Sequence, residues 1–125
     1  MQVAVETKKS DVLIVDDELD ICYLLSGMLK QRDLIPGFVN SLSDAEEALS
    51  NHTPAVLFLD NRLPDGLGLD FIPYVKRNYP SVKVVMITAH DSSADRKRAY
   101  EGGADYFISK PLTRGLINAA IDKFF

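Results

Sequence analysis

Residues 56–68 read VLFLDNRLPDGLG, an apolar run that ends abruptly on Asp60 and breaks into a loop carrying Pro64, Gly66 and Gly68. Pro54 sets off Ala55–Leu59, the most continuously apolar run in the chain and so the best candidate for a central strand buried on both faces. A carboxylate directly after such a strand is placed for chemistry, because ligands of open parallel α/β sheets bind outside the carboxyl ends of the strands. The pattern recurs. Val12–Val15 stops on Asp16, Asp17 and Glu18, Val82–Ile87 ends in Thr88, Ala89 and His90, and Tyr106–Ile108 ends at Ser109, Lys110 and Pro111. Ile35–Asn40, interrupted by Pro36 and Gly37, suits a sheet edge better than a sheet centre.

Helical spacing fills the intervals. Ile21, Leu24, Leu25, Met28 and Leu29 recur three and four residues apart, which predicts one buried helix face up to about Gln31. Ser43 followed by Glu46 is a capping-box pattern opening a second helix, Ala45–Ser50. A third helix runs from about Gly68 to Asn78 and contains Pro73. An interior proline costs on the order of 3 kcal/mol, so the preferred start has Asp70 as the cap, with Pro73 in the first turn, where amide hydrogens lack intrahelical partners. Ala94–Glu101 is a charged, weakly amphipathic fourth helix closed by Gly102 and Gly103. Thr113 caps a last helix that puts Leu116, Ile117, Ala120, Ile121 and Phe124 on one face. Such alternation implies a parallel sheet covered on both sides, and right-handed crossovers make it a doubly wound α/β domain.

The 125 residues fit one domain, taken as residues 11–125 behind a polar tail at 1–10. A net charge of −4 without a basic run argues against direct nucleic-acid binding. The single cysteine, Cys22, excludes an intramolecular disulfide and a Cys-rich metal site, and its apolar setting predicts a reduced core residue. No stretch approaches the roughly 20 apolar residues of a membrane span, and the polar start MQVAVETKKSD has no signal-peptide core, so a cytoplasmic protein is expected.

The carboxyl ends of parallel strands share one edge, so Asp16, Asp17 and Glu18, Asp60, Thr88 and Lys110 can all meet there. Three carboxylates held together repel, and a hard divalent cation relieves that repulsion; Mg²⁺ favours one or two carboxylates, waters and phosphate oxygens. A lysine beside an acid favours the charged form of both and can hold a phosphoryl oxygen. A carboxylate can also attack phosphorus to form an aspartyl-phosphate, which assigns the nucleophile to Asp60.

Asp16-Asp17, Asp60, Thr88 and Lys110-Pro111, with the DNRLPDGLG loop and the tripeptide Thr88-Ala89-His90, resemble a two-component response-regulator receiver domain over nearly the whole chain, Asp11 to Phe125. The resemblance implies a flavodoxin-like (CheY-like) three-layer fold with strand order 2-1-3-4-5. It implies Mg²⁺-dependent transfer of a phosphoryl group to Asp60 from a phosphohistidine on a sensor histidine kinase or phosphotransfer protein. Such a signalling domain catalyses its own phosphorylation and dephosphorylation and is not an enzyme toward outside substrates. By position, Asp17 and Asp60 would ligate the metal, Asp16 would act mostly through water, and the backbone carbonyl of Arg62 would complete the protein ligands. Thr88 would donate to the phosphoryl group and Lys110 would pair with another of its oxygens. Phe107 matches the switch aromatic that turns inward as Thr88 moves, and the bond between Lys110 and Pro111 is expected to be cis. The face of the fourth helix, fifth strand and fifth helix would carry the signal to a downstream protein or effector domain, or to a phosphorylation-dependent dimer partner.

Three positions depart from the family pattern: Asn61 replaces an apolar residue after the phosphorylated aspartate, Phe107 stands where tyrosine is frequent, and Leu112 replaces a common phenylalanine. None removes a catalytic group, although Phe107 lacks the hydroxyl that could fix an inward state. Arg62 and His90 occupy loop positions that in this family influence phosphoryl lifetime. Two other readings stand beside this one. A Mg²⁺-dependent phosphohydrolase could use an aspartyl-phosphate on outside substrates, but the chain has no D-x-D motif at a strand end and no cap domain. A receiver-like interaction module could have lost phosphorylation, against which the complete acid, threonine and lysine set speaks. Residue by residue, Asp16 to Glu18 could merely cap the first helix, and Lys110 could be a solvated loop charge. The chain is either a stand-alone receiver or a piece of a longer regulator.

Overall fold

The computed structural model describes residues 10–125, so the predicted tail lies outside the described residues except for Ser10. Five strands form one parallel sheet: β1 (Val12–Val15), β2 (Pro36–Val39), β3 (Val56–Asp60), β4 (Lys83–Thr88) and β5 (Tyr106–Ser109). Their spatial order is β2-β1-β3-β4-β5, with β3 central and the Pro-Gly strand at an edge, as expected from its composition. Five helices connect them: α1 (Leu19–Lys30), α2 (Leu42–Asn51), α3 (Gly68–Asn78), α4 (Ser93–Gly102) and α5 (Arg114–Phe124). Inside the loop after β3, Arg62–Leu63 pairs antiparallel with Gly66–Leu67 as a small separate ribbon.

The period of two along each strand divides the core into two layers. Leu13, Val15, Leu57, Leu59, Val84, Met86 and Phe107 pack with residues of α2, α3 and α4, whereas Val12, Ile14, Val56, Phe58, Val85, Ile87 and Ile108 pack with α1 and α5. Both faces of the sheet are therefore covered, giving the three-layer sandwich. Leu24 and Leu116, predicted on buried helix faces, are instead 45% and 40% exposed. Cys22 is buried and free; burial, reinforced by Asp16, pushes its thiol up to about 11, so it stays protonated and inert.

Two helix starts differ from the sequence expectation. The cap of α2 is Ser41, whose side chain accepts from the Asp44 amide, and not Ser43. The amides of Leu42 and Ser43 donate to the Asp65 carboxylate, which those bonds hold below the usual carboxylate range, and this contact takes over the role that a capping box would play. Helix α3 begins at Gly68, not after Asp70, so Pro73 sits within the helix. The extra turn is possible because Asn61 supplies partners to its first amides: Gly68 N–H donates to the Asn61 carbonyl at 2.7 Å and Leu69 N–H to Asn61 Oδ1 at 3.0 Å. Gly68 is required there, since a Cβ would lie 2.1 Å from the Asp60 carbonyl oxygen. The two glycines predicted to close α4 fall at its last residue and its cap, where Gly103 takes φ +112.

Candidate functional site

The same alternation that builds the core delivers the site. Along β1, Asp16 follows Val12 and Ile14 on the α1/α5 side; along β3, Asp60 follows Val56 and Phe58; along β5, Lys110 follows Ile108. Val12 pairs with Val56 and Ile14 with Phe58, so the next step of that register sets the two acids side by side. Both are buried, Asp16 at 0% and Asp60 at 6% exposure. Lys110 reaches them from the far edge, its Nζ 2.9 Å from Asp16 Oδ2, 3.6 Å from Asp60 Oδ2 and 3.1 Å from Glu18 Oε1. Its amide is fixed by a 2.8 Å bond to the Thr88 carbonyl, and the Lys110–Pro111 peptide bond is cis.

An open cleft at this edge is lined by Asp17, Glu18 and Asp60, by Thr88 and Lys110, and by the loop residues Arg62, Ala89 and His90. Of the predicted residues, Asp17 is exposed at the mouth while Asp16 lies beneath it, and Phe107 lies away from the cleft in the opposite layer. Thr88 is 3% exposed and its Oγ1 accepts the His90 amide at 3.1 Å, which leaves the hydroxyl hydrogen free to donate elsewhere. Phe107 is buried, and the Arg96 guanidinium lies 4.7 Å over its ring. Arg96 is held there by Asp91, which also accepts from Ser109 Oγ at 2.6 Å. Those two contacts, the serine's first, keep the Asp91 carboxyl below its usual range.

The electrostatics are those of too many negative charges for one lysine. Burial, then the neighbouring charge of Asp16, push Asp60 up to about 6, although Lys110 and the Asn61 amide pull the other way. Burial tends to lower Lys110, but its close contact with Asp16 and the charges of Asp60 and Asp16 outweigh that and hold it above the usual lysine value. Asp16 Oδ2 is buried with no hydrogen-bond donor in bonding geometry, the Lys110 ammonium meeting it by charge only. Asp16, Asp17, Glu18 and Asp60 each bring one oxygen within 4.8 Å of the others. An all-oxygen acidic set with an unmatched buried acceptor suits a hard divalent cation and does not suit a soft metal.

Asn61 had no evident role in the sequence, and the structure supplies one. One step past Asp60 it points to the opposite layer, where it is buried and bonds the start of α3. The spacing of two along β3 was the signal that could have found it. Replacing Asn61 with Ala leaves the buried Leu69 amide without its acceptor, a loss of about 1–2 kcal/mol. Urea unfolding should register that loss, with faster hydrogen exchange at Leu69.

Comparison with known proteins agrees with this geometry. The family model for the response regulator receiver domain matches residues 12–122. The response regulator protein PilR of Pseudomonas aeruginosa is 34% identical over 113 residues, covering 90% of this chain and 25% of PilR. The phosphate regulon transcriptional regulatory protein PhoB of Escherichia coli is 35% identical over 104 residues, covering 82% of this chain and 45% of PhoB. The chain thus spans less than half the length of these curated relatives. The solved beryllofluoride-activated NtrC4 receiver domain dimer is similar at 34% identity with a TM-score of 0.87, covering 91% of this chain and 94% of that one. The strand order, the strand-end acids with their lysine, and a family match across residues 12–122 place this chain in the response regulator receiver domain family.

Proposed function

We propose that residues 11–125 form a phosphorylation-dependent switch in which Asp60 accepts a phosphoryl group from a phosphohistidine. The observation that carries this reading is the convergence of Asp60, Thr88 and Lys110 on one open cleft beside an acidic cluster. In the transfer, an Asp60 carboxylate oxygen bonds to phosphorus while the phosphorus–nitrogen bond breaks and its electron pair returns to the imidazole. Asp17, Asp60 and the Arg62 backbone carbonyl would hold Mg²⁺, with Asp16 acting mostly through water. The ion would neutralise charge on the phosphoryl oxygens. The uncommitted Thr88 hydroxyl hydrogen and the Lys110 ammonium then each take a phosphoryl oxygen.

The route outward follows from strand pairing. Thr88 pairs with Ser109 and Met86 with Phe107, which puts Thr88 and Phe107 on the same sheet face, one step apart on adjacent strands. Movement of Thr88 toward a phosphoryl group would release space beside Phe107, and Phe107 would change the α4–β5–α5 face. A sensor histidine kinase or phosphotransfer protein is the proposed donor. The readout is a downstream protein, an effector domain, or a second copy of this chain, in keeping with the dimer of the NtrC4 receiver. A cytoplasmic setting fits this chemistry, and no helix among the described residues is long and apolar enough to cross a membrane.

Intact-mass analysis after incubation with a small phosphodonor and Mg²⁺ tests the reading, one phosphate per chain being expected. Lys110→Ala should keep the fold and take up phosphate about tenfold more slowly, the size of one lost charge-assisted hydrogen bond. An unmodified wild-type mass would refute the reading.

A further inference from the structure

Glu18 sits at the N-cap of α1, yet its side chain caps nothing there. Its amide is taken by Asp16 Oδ1 at 2.9 Å and its carbonyl by the amides of Ile21 and Cys22, while the carboxylate makes no hydrogen bond to the helix start. It reaches instead across the cleft to Lys110, accepting a 3.1 Å hydrogen bond from Nζ. Lys110 therefore stands closer to Glu18 and Asp16 than to Asp60, 3.6 Å away. Glu18 also lines the cleft that Asp60 faces, with a carboxylate oxygen within 4.8 Å of one on Asp60.

We infer that Glu18 is a positioning residue acting through Lys110: it occupies the ammonium before phosphorylation and opposes entry of a doubly negative phosphoryl donor. The inference rests on the function proposed above. Glu18 draws the Lys110 ammonium to its own side of the cleft, 3.1 Å from Oε1 against 3.6 Å from Asp60 Oδ2, and the charge of an entering phosphoryl group must approach the Glu18 carboxylate. Both effects favour the unphosphorylated protein; when the carboxylate becomes an amide of the same shape the repulsion vanishes and the hold on Lys110 weakens to a neutral hydrogen bond. A carboxylate that merely stabilised the helix dipole would not distinguish one phosphodonor from another.

The test compares wild type, Glu18→Gln and Glu18→Asp with acetyl phosphate, a dianion, and with phosphoramidate, which carries less charge, at saturating Mg²⁺. Glu18→Gln should accept from acetyl phosphate about fivefold faster than wild type, the scale of one unit charge a few ångströms away in water-exposed space. The gain should be smaller with phosphoramidate, and Glu18→Asp should stay near wild type. In metal-free protein the Lys110 ε-methylene NMR signals should move in Glu18→Gln. Equal or slower uptake by Glu18→Gln, an equal gain with both donors, or stationary Lys110 signals would overturn the inference. Wild-type protein that takes up no phosphate would overturn the proposed function instead.

Discussion

Asp60→Asn should take up no phosphate under conditions that label every wild-type chain, and chelating Mg²⁺ should abolish labelling of the wild type. Among the acids of the cleft, Asp60 alone ends the central strand, with Oδ1 held by the Asn61 amide and Oδ2 facing Lys110 at 3.6 Å. That pairing leaves one oxygen oriented for attack while the other keeps the group from turning. An amide presents the same shape with no nucleophilic oxygen, so the loss should be complete. Asp17 and Glu18 are exposed and lie within reach of a donor, which makes the experiment discriminating. A phosphate adduct that persists in Asp60→Asn would move the nucleophile to one of them. Melting of the variant above or at the wild-type temperature would exclude unfolding as the cause.

Apolar periodicity made the layers and the site legible together, because a single period of two sets both. Val12, Ile14 and Asp16 share a face, as do Val56, Phe58 and Asp60, so the residues that define the strands also aim the acids. Lys110 was readable for the same reason, two residues beyond Ile108. What the sequence hid were contacts between distant segments. The cap of α3 comes from Asn61, seven positions before the helix begins, and the partners of the first α2 amides come from Asp65, more than twenty residues later. Local capping rules look one to three residues ahead, so they chose Asp70 and Ser43, and tertiary contacts decided otherwise. The Glu18–Lys110 pair spans 92 residues; strand-end convergence put both at one edge, but nothing local singled out Glu18 among its acidic neighbours as the one that bonds the lysine.

A second expectation for Asp60→Asn concerns stability, and it is opposite in sign to a usual active-site lesion. The Asp60 carboxyl lies near 3.8 when free and is pushed up to about 6 in the fold, by burial first and by Asp16 second. The native state thus holds this proton more tightly than the unfolded chain does. The stabilisation linked to Asp60 is fully present below pH 4 and is lost as pH rises through about 6, so above that pH the ionised group burdens the fold. The gap between the two values corresponds to about 3 kcal/mol. Asparagine is neutral at every pH and can still accept the Asn61 amide, so metal-free Asp60→Asn should exceed wild type by about 2–3 kcal/mol at pH 7 in urea unfolding. The difference should shrink as pH falls from 6 to 4, because wild type then becomes neutral at the same position. Groups that do not interact with Asp60 cancel in the comparison, so the difference reads the Asp60 charge together with its coupling to Asp16 and Lys110. Mg²⁺ should narrow the difference at pH 7 by stabilising wild type preferentially, since the variant has lost one of the cluster's carboxylates. Equal stability of the two proteins at pH 7 without metal would mean that Lys110 already balances the acids, and that no stored repulsion awaits the cation.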